Sequence, residues 1–161
     1  KKMIKVENNF LNNQKLFEIN QMVTSNNFPW YLSNNINKFT HPLIKDNQGK
    51  KESSIFMSKI LTPILENINA KTIISSDVIL QMPSSNKIKV EEKPSNLNLN
   101  DPSMTGILCL TSYNGSIEIL NSEEQSMTQN RFFSFPSNTG YFSYSNTDNC
   151  YGLTIRLVYI I

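Results

Sequence analysis

Apolar and polar positions alternate with a period of two through most of the second half of the chain. In parts of the first half they follow a helical period. Residues 72–82 (TIISSDVILQM), 87–92 (KIKVEE), 105–112 (TGILCLTS), 116–121 (SIEILN), 127–135 (MTQNRFFSF), 140–145 (GYFSYS) and 152–161 (GLTIRLVYII) are short runs rich in β-branched and aromatic residues. That composition predicts strands. Turn chemistry separates them at Pro83–Ser84–Ser85, Pro94–Ser95–Asn96, Asn114–Gly115 and Ser137–Asn138. Asn114–Gly115 between two apolar runs predicts a tight hairpin. Many short strands with regular turns predict a sandwich or barrel.

Upstream the pattern changes. Residues 3–10 (MIKVENNF) begin with a brief strand-like alternation, and Leu11, Leu16, Ile19 and Val23 then recur at helical spacing. Asn and Pro in 24–35 (TSNNFPWYLSNN) end that helix and gather Phe28, Pro29, Trp30 and Tyr31 into an aromatic plug for one end of a core. Residues 36–52 contain Pro42 and Gly49, show little periodicity and read as loop. The clearest helix covers 53–70, where Ile55, Phe56, Ile60, Leu61, Ile64, Leu65 and Ile68 form one apolar stripe. Ser53 or Ser54 can cap its start. Pro63 predicts a kink, or a start nearer Leu61. The fold class is therefore α+β, mainly β. It is a single domain over 1–161, with helices in 1–71 packed outside a β-sandwich formed by 72–161. A chain of 161 residues is long enough to bury one core, and no repeat or long linker divides it.

Composition restricts function more than fold. The net charge is +2, and basic residues cluster at Lys50–Lys51 and in the Lys87/Lys89/Lys93 group, the second diluted by Glu91–Glu92. Neither is the arginine-bearing stripe of a nucleic-acid surface, so both read as solvated faces. No apolar run approaches the roughly 18 residues of a membrane span. The opening KKMIKVENNF lacks the apolar stretch of a signal peptide and has no Met at position 1. Alanine occurs once, and thirteen of the fifteen basic residues are lysine. This usage, with its abundant Asn, Ile and Lys, is that of an AT-rich genome and points to a virus or a streamlined bacterium. Cys109 and Cys150 are too few for a disulfide framework or a four-cysteine zinc site. Cys109 reads as a small core residue and Cys150 as a turn residue. Nothing marks the chain as secreted, so a bridge between them is the lesser alternative.

The order of NNFPWYLSNN, FTHPLI (39–44), an amphipathic helix, NLNDPSMTGILCLTSYNGSIEIL (98–120), QNRFFSFPSNTGYFSYSNTD (129–148) and RLVYII (156–161) adds a further signal. From residue 11 onward it resembles the small 2-oxoglutarate/Fe(II)-dependent oxygenase-like (prolyl-hydroxylase-like) proteins of marine tailed phages and their hosts. The resemblance implies a double-stranded β-helix, the jelly-roll type of sandwich. It also implies Fe(II) held by two imidazoles and one carboxylate. A cation, usually arginine, would pair with the far carboxylate of 2-oxoglutarate. On this chain the His-x-Asp pair would fall in 92–101 (EKPSNLNLND), where Asn98 and Asn100 hold the spacing and Asp101 follows. The distal histidine position falls on Tyr141. The cosubstrate cation falls on Arg156 or, by strand register, on Leu153. His41, the single histidine, belongs to FTHPLI and reads as a loop residue hydrogen-bonded at the barrel rim. With amides and a tyrosine where imidazoles are needed, the metal triad reads as lost. Asn98, Asn100, Tyr141, Leu153 and Arg156 become degenerate pocket positions, and no catalytic residue, metal or cofactor is expected.

Other chemistries find no support. A Ser-His-Asp arrangement would need His41, and no GxSxG elbow or phosphate-binding glycine loop occurs. Glu91–Glu92 and Glu123–Glu124 read as solvated charges. Asn114-Gly115-Ser116 fits the glycosylation pattern, but the hairpin reading is preferred. Phe132, Phe133, Phe135, Tyr141, Phe142 and Tyr144 read as core, with stacking of sugars or bases as the alternative. The expected function is a non-catalytic virion subunit, such as a decoration, neck, baseplate or fibre component. Its partners would be other virion proteins and copies of itself, with neither nucleic acid nor membrane. The alternatives are an oxygenase using Asn98, Asn100 or Asp101 with Tyr141, and a carbohydrate- or receptor-binding module using the aromatic rim. The expected location is the virion, or the cytoplasm if the source is not viral.

Overall fold

The alternating runs form two antiparallel sheets in the computed structural model, which describes residues 4–35, 37–45, 48–49, 54–92 and 102–161. The order is β1 (Lys5–Glu7), α1 (Asn13–Val23), β2 (Tyr31–Leu32), β3 (Lys38–Lys45), β4 (Gln48–Gly49), α2 (Ser54–Leu65), β5 (Thr72–Gln81), β6 (Lys89–Glu92), β7 (Ser103–Cys109), β8 (Tyr113–Ile119), β9 (Glu124–Met127), β10 (Phe132–Pro136), β11 (Tyr141–Tyr144) and β12 (Gly152–Ile160). The larger sheet runs β1-β10-β7-β12-β5-β3-β2, with β4 paired to β3, and the smaller runs β6-β11-β8-β9. From β5 onward the chain passes back and forth between the sheets, broken only by the β8–β9 hairpin. This is a double-stranded β-helix: α+β, mainly β, with helices on one outer face.

Period-two patterning sorts the side chains of the larger sheet onto two cores. Leu153, Ile155, Leu157 and Tyr159 of β12 face the helices and pack with Leu16, Ile19, Val23, Ile60 and Ile64. Between the sheets lie Ile107, Cys109, Ile117, Ile119, Phe133, Phe135 and Tyr141. Neighbouring phenylalanines divide accordingly, Phe132 to the helix side and Phe133 to the inter-sheet side.

Local chemistry sets the helix ends. Asn12 caps α1, its side-chain oxygen accepting from the Lys15 amide at 2.8 Å. The Thr24 hydroxyl closes the helix by donating to the Asn20 carbonyl at 2.6 Å. In α2, Pro63 lies in the last turn of a helix that begins at Ser54, where a missing amide donor removes only one late hydrogen bond. The apolar stripe is shorter than predicted. Ile60, Leu61 and Ile64 are buried and Phe56 packs against the same core, whereas Ile55 is 73% exposed.

Three local expectations are corrected. Residues 38–45 are a strand and not loop, so the first 71 residues supply strands of the larger sheet as well as both helices. Pro42 hid this strand, and the sheet accommodates it at a register irregularity between Pro42 and Ile44. Asn114–Gly115 lies inside β8 and makes no hairpin, because β7 and β8 belong to different sheets. Glycine is required there for close approach: a Cβ on Gly115 would sit 2.5 Å from the Tyr113 ring and 2.8 Å from the Tyr144 carbonyl oxygen. Finally, 127–135 divides into the end of β9 and the start of β10, turned by Asn130 in the left-handed conformation (φ 63°). The Asn130 side chain accepts from the Leu11 amide at 2.9 Å and donates to the Leu11 carbonyl at 2.7 Å, pinning the entry to α1 against the barrel.

Both cysteines are free thiols, Cys109 buried and Cys150 exposed. Burial pushes the Cys109 thiol up to about 12. Iodoacetamide at about pH 8 should therefore label Cys150 alone in the native protein and both residues after unfolding, as read by intact mass. No helix among the described residues is long and apolar enough to cross a membrane.

Candidate functional site

The interior between the sheets contains a cavity of about 60 Å³ whose lining includes Lys38, Glu92, Tyr141, Ser143, Thr154 and Arg156. Small-molecule sites usually measure roughly 300–1,000 Å³. Two features fill the space. The first is an ion pair between sheets. Lys38 opens β3 in the larger sheet and Glu92 closes β6 in the smaller. Lys38 Nζ lies 3.0 Å from Glu92 Oε1, and the Ser143 hydroxyl donates to the same oxygen at 3.2 Å. Only 11% and 17% of the two side chains are exposed. The other ion pairs among the described residues lie within β1, within α1 or along the smaller sheet, and all are more open to solvent.

The second feature is Tyr141, which opens β11 directly opposite Glu92. Its ring packs edge-on against Phe135, with centroids 5.4 Å apart, and the Arg156 guanidinium carbon stands 5.9 Å from the ring centre. Burial pushes the Tyr141 phenol up to about 12, so near neutral pH it remains an O–H group and not a phenolate.

Arg156 and Leu153 separate by strand parity. Arg156 lines the cavity, and Leu153 is buried among the helix-side residues. An odd spacing places the two on opposite faces, so of the two positions weighed for a cosubstrate cation only Arg156 faces inward. Asp77 stands opposite Arg156 on β5. Burial raises the Asp77 carboxyl above its ordinary value, against smaller opposing pulls from Arg156 and His41. A raised acid favours the folded state while it is protonated, and this contribution is lost as pH climbs from the ordinary carboxylate value through the raised one. The stability of D77N relative to wild type should thus increase as pH rises through that window, measurable by urea unfolding at a series of pH values.

His41 is not a loop residue at the rim. It lies on β3 and is fully buried on the helix side of the larger sheet. Its ring centroid is 4.2 Å from that of Phe28 and 5.9 Å from that of Phe56, and Nδ1 donates to the Pro29 carbonyl at 2.7 Å. The aromatic plug predicted around Phe28 and Trp30 therefore packs around this histidine. Asn98, Asn100 and Asp101 lie outside the described residues. The aromatics of the rim alternative separate into two sets. Phe132, Phe133, Phe135 and Tyr141 are buried. Phe142 and Tyr144 are half-buried beneath lysines, with Lys89 Nζ 3.9 Å from the Phe142 centre and Lys87 Nζ 4.4 Å from that of Tyr144.

These donors do not fit an Fe(II) centre of the two-imidazole type. The single imidazole belongs to the other core, and the distal position is a protonated phenol. Among the described residues, no three His, Cys, Asp or Glu side chains lie close enough to hold a metal ion. Sequence reasoning missed Lys38, Glu92 and Ser143. Their pairing spans 54 residues and leaves no local signal beyond a charge at an inward position of an alternating strand.

By sequence, no protein-family profile and no curated protein matches this chain. Solved structures do resemble it. The non-heme alpha ketoglutarate dependent carbocyclase SnoK from nogalamycin biosynthesis superposes with TM-score 0.67 at 10% identity, covering 99% of this chain and 79% of that one. A Pseudomonas putida prolyl-4-hydroxylase gives TM-score 0.65 at 9% identity, covering 98% and 91%. HygX from Streptomyces hygroscopicus, solved with nickel and 2-oxoglutarate bound, gives 0.66 at 7%, covering 98% and 82%. At such identities the likeness is one of fold, and the fold is oxygenase-like.

Proposed function

We propose that this chain is a non-catalytic protein built on an oxygenase-like jelly roll, serving as a structural subunit of a larger particle. The carrying observation is the internal packing around the one ligand position that the structure describes, Tyr141. In the cavity lined by Tyr141 and Arg156, Lys38, Glu92 and Ser143 bond to one another, and Tyr141 stands as a buried phenol. The pair joins the sheets directly, and the remaining cavity is far smaller than a cosubstrate site. Such a sandwich remains a rigid body with loops and faces available for contacts. The AT-rich residue usage, low charge and Asn/Ser-rich surface favour a virion as the setting.

Calorimetric titration with Fe(II) in the presence of 2-oxoglutarate tests the non-catalytic part. The expected result is no binding tighter than micromolar, and saturable binding below that level would overturn it. Gradient sedimentation of material from the native source tests the subunit role. The chain is expected in a large-particle fraction, and recovery only as a free small protein would defeat the role.

A further inference from the structure

A second recess, of about 290 Å³, opens just outside the ion pair and shares Lys38, Gln81 and Ser143 with the inner cavity. Asn34 and Asn35 form one wall, and Ile88 and Val90 line it with aliphatic surface. Its volume lies near the lower end for small-molecule sites and suits one ring-sized unit.

The polar groups specify the chemistry of an occupant. Lys38 is already matched by Glu92, so the recess carries balanced charge. The ammonium has further N–H groups beyond the one directed at Glu92. Gln81 donates its amide N–H groups to the Asn37 and Met82 carbonyls at 3.2 and 3.1 Å, which leaves its side-chain oxygen as an acceptor. Ser143 gives its proton to Glu92 and keeps lone pairs to accept with. The amides of Asn34 and Asn35 are exposed and offer both donors and acceptors. A hydroxyl both donates and accepts, so it matches this mixture where a single-function group does not. A free anion would have to compete with Glu92 for Lys38, and no aromatic ring lines the recess to stack a base.

From this arrangement we infer that the recess binds a neutral saccharide unit, with its hydroxyls on the amides, Lys38 and Ser143 and its C–H face on Ile88 and Val90. The site goes beyond the structural role proposed above and does not depend on it. A glycan-binding subunit and a glycan-binding free protein would use the same groups.

The test is an amide ¹H–¹⁵N titration of the full chain with glucose, galactose and N-acetylglucosamine at millimolar concentrations, with acetate and phosphate as controls. At least one sugar should shift the amides of Asn34, Asn35, Val90 and Ser143 saturably, and the two anions should not. N35A, an exposed position whose loss leaves the fold intact, should weaken that sugar by about tenfold, as expected for one lost hydrogen bond of roughly 1.4 kcal/mol. Absence of saturable shifts with all three sugars would overturn the inference. So would shifts confined to another surface, unchanged affinity in N35A, or stronger perturbation by acetate or phosphate. Because the iron titration reads a different pocket, failure here leaves the non-catalytic reading standing, and the converse also holds.

Discussion

Replacing Lys38 with methionine is expected to destabilise the protein by about 3 kcal/mol, the low end for breaking one side of a buried ion pair. The cause is the group left behind. Glu92 would remain largely buried with, among the described residues, the Ser143 hydroxyl as its side-chain partner. For a chain of this length that corresponds to a fall in Tm of roughly 6–12 °C. E92Q should behave similarly, because it strands the ammonium. The double variant K38M/E92L should recover most of the loss, since well-packed apolar residues often replace a buried pair at little cost. Thermal melts of the three variants complete the cycle. Single-variant losses below about 0.5 kcal/mol would mean that the pair behaves as an ordinary surface contact.

The second large effect concerns a ring packed against two glycines. A Cβ on Gly152 would fall 2.5, 2.6 and 2.7 Å from three atoms of the Tyr113 ring, and a Cβ on Gly115 would fall 2.5 Å from the same ring. The ring occupies the space that an added methyl at either glycine would need. G152A should therefore cost about 2 kcal/mol through overpacking. Tyr113→Ala should remove that clash, so the cost of G152A measured in a Y113A background should be close to zero, a clear departure from additivity. Urea unfolding of the single and double variants measures this. A G152A variant as stable as wild type would show that the ring has room to rotate.

Legibility in the sequence followed the range of the interactions. Most strands from Thr72 onward could be located because they carry their own alternation; β9 was the exception, with only its last residue inside a predicted run. Leu16, Ile19 and Val23 likewise declared the buried face of α1. Errors arose where one residue type serves two purposes. Gly115 looks like a turn residue and is in fact a close-packing residue. Pro42 looks like a strand breaker and sits at an irregularity that tolerates it. His41 looks exposed in its loop-like stretch and is buried among Phe28, Phe56 and the Pro29 carbonyl. The pocket was legible only where strand parity could resolve it, as with Arg156 against Leu153. The Lys38–Glu92 contact depends on two sheets meeting in space, and no local pattern encodes it.

Among the described residues, the larger sheet ends in β1, three residues long, on one side and in β2, two residues long, on the other, and both outer strands of the smaller sheet have four residues. Margins this brief present few unpaired amide and carbonyl groups to a neighbouring molecule. Copies of this chain should therefore resist zipping together into fibrils through backbone ladders. If they assemble into an ordered array, the glue has to be side-chain contacts between broad surfaces, which can be loosened one residue at a time without unfolding the subunit.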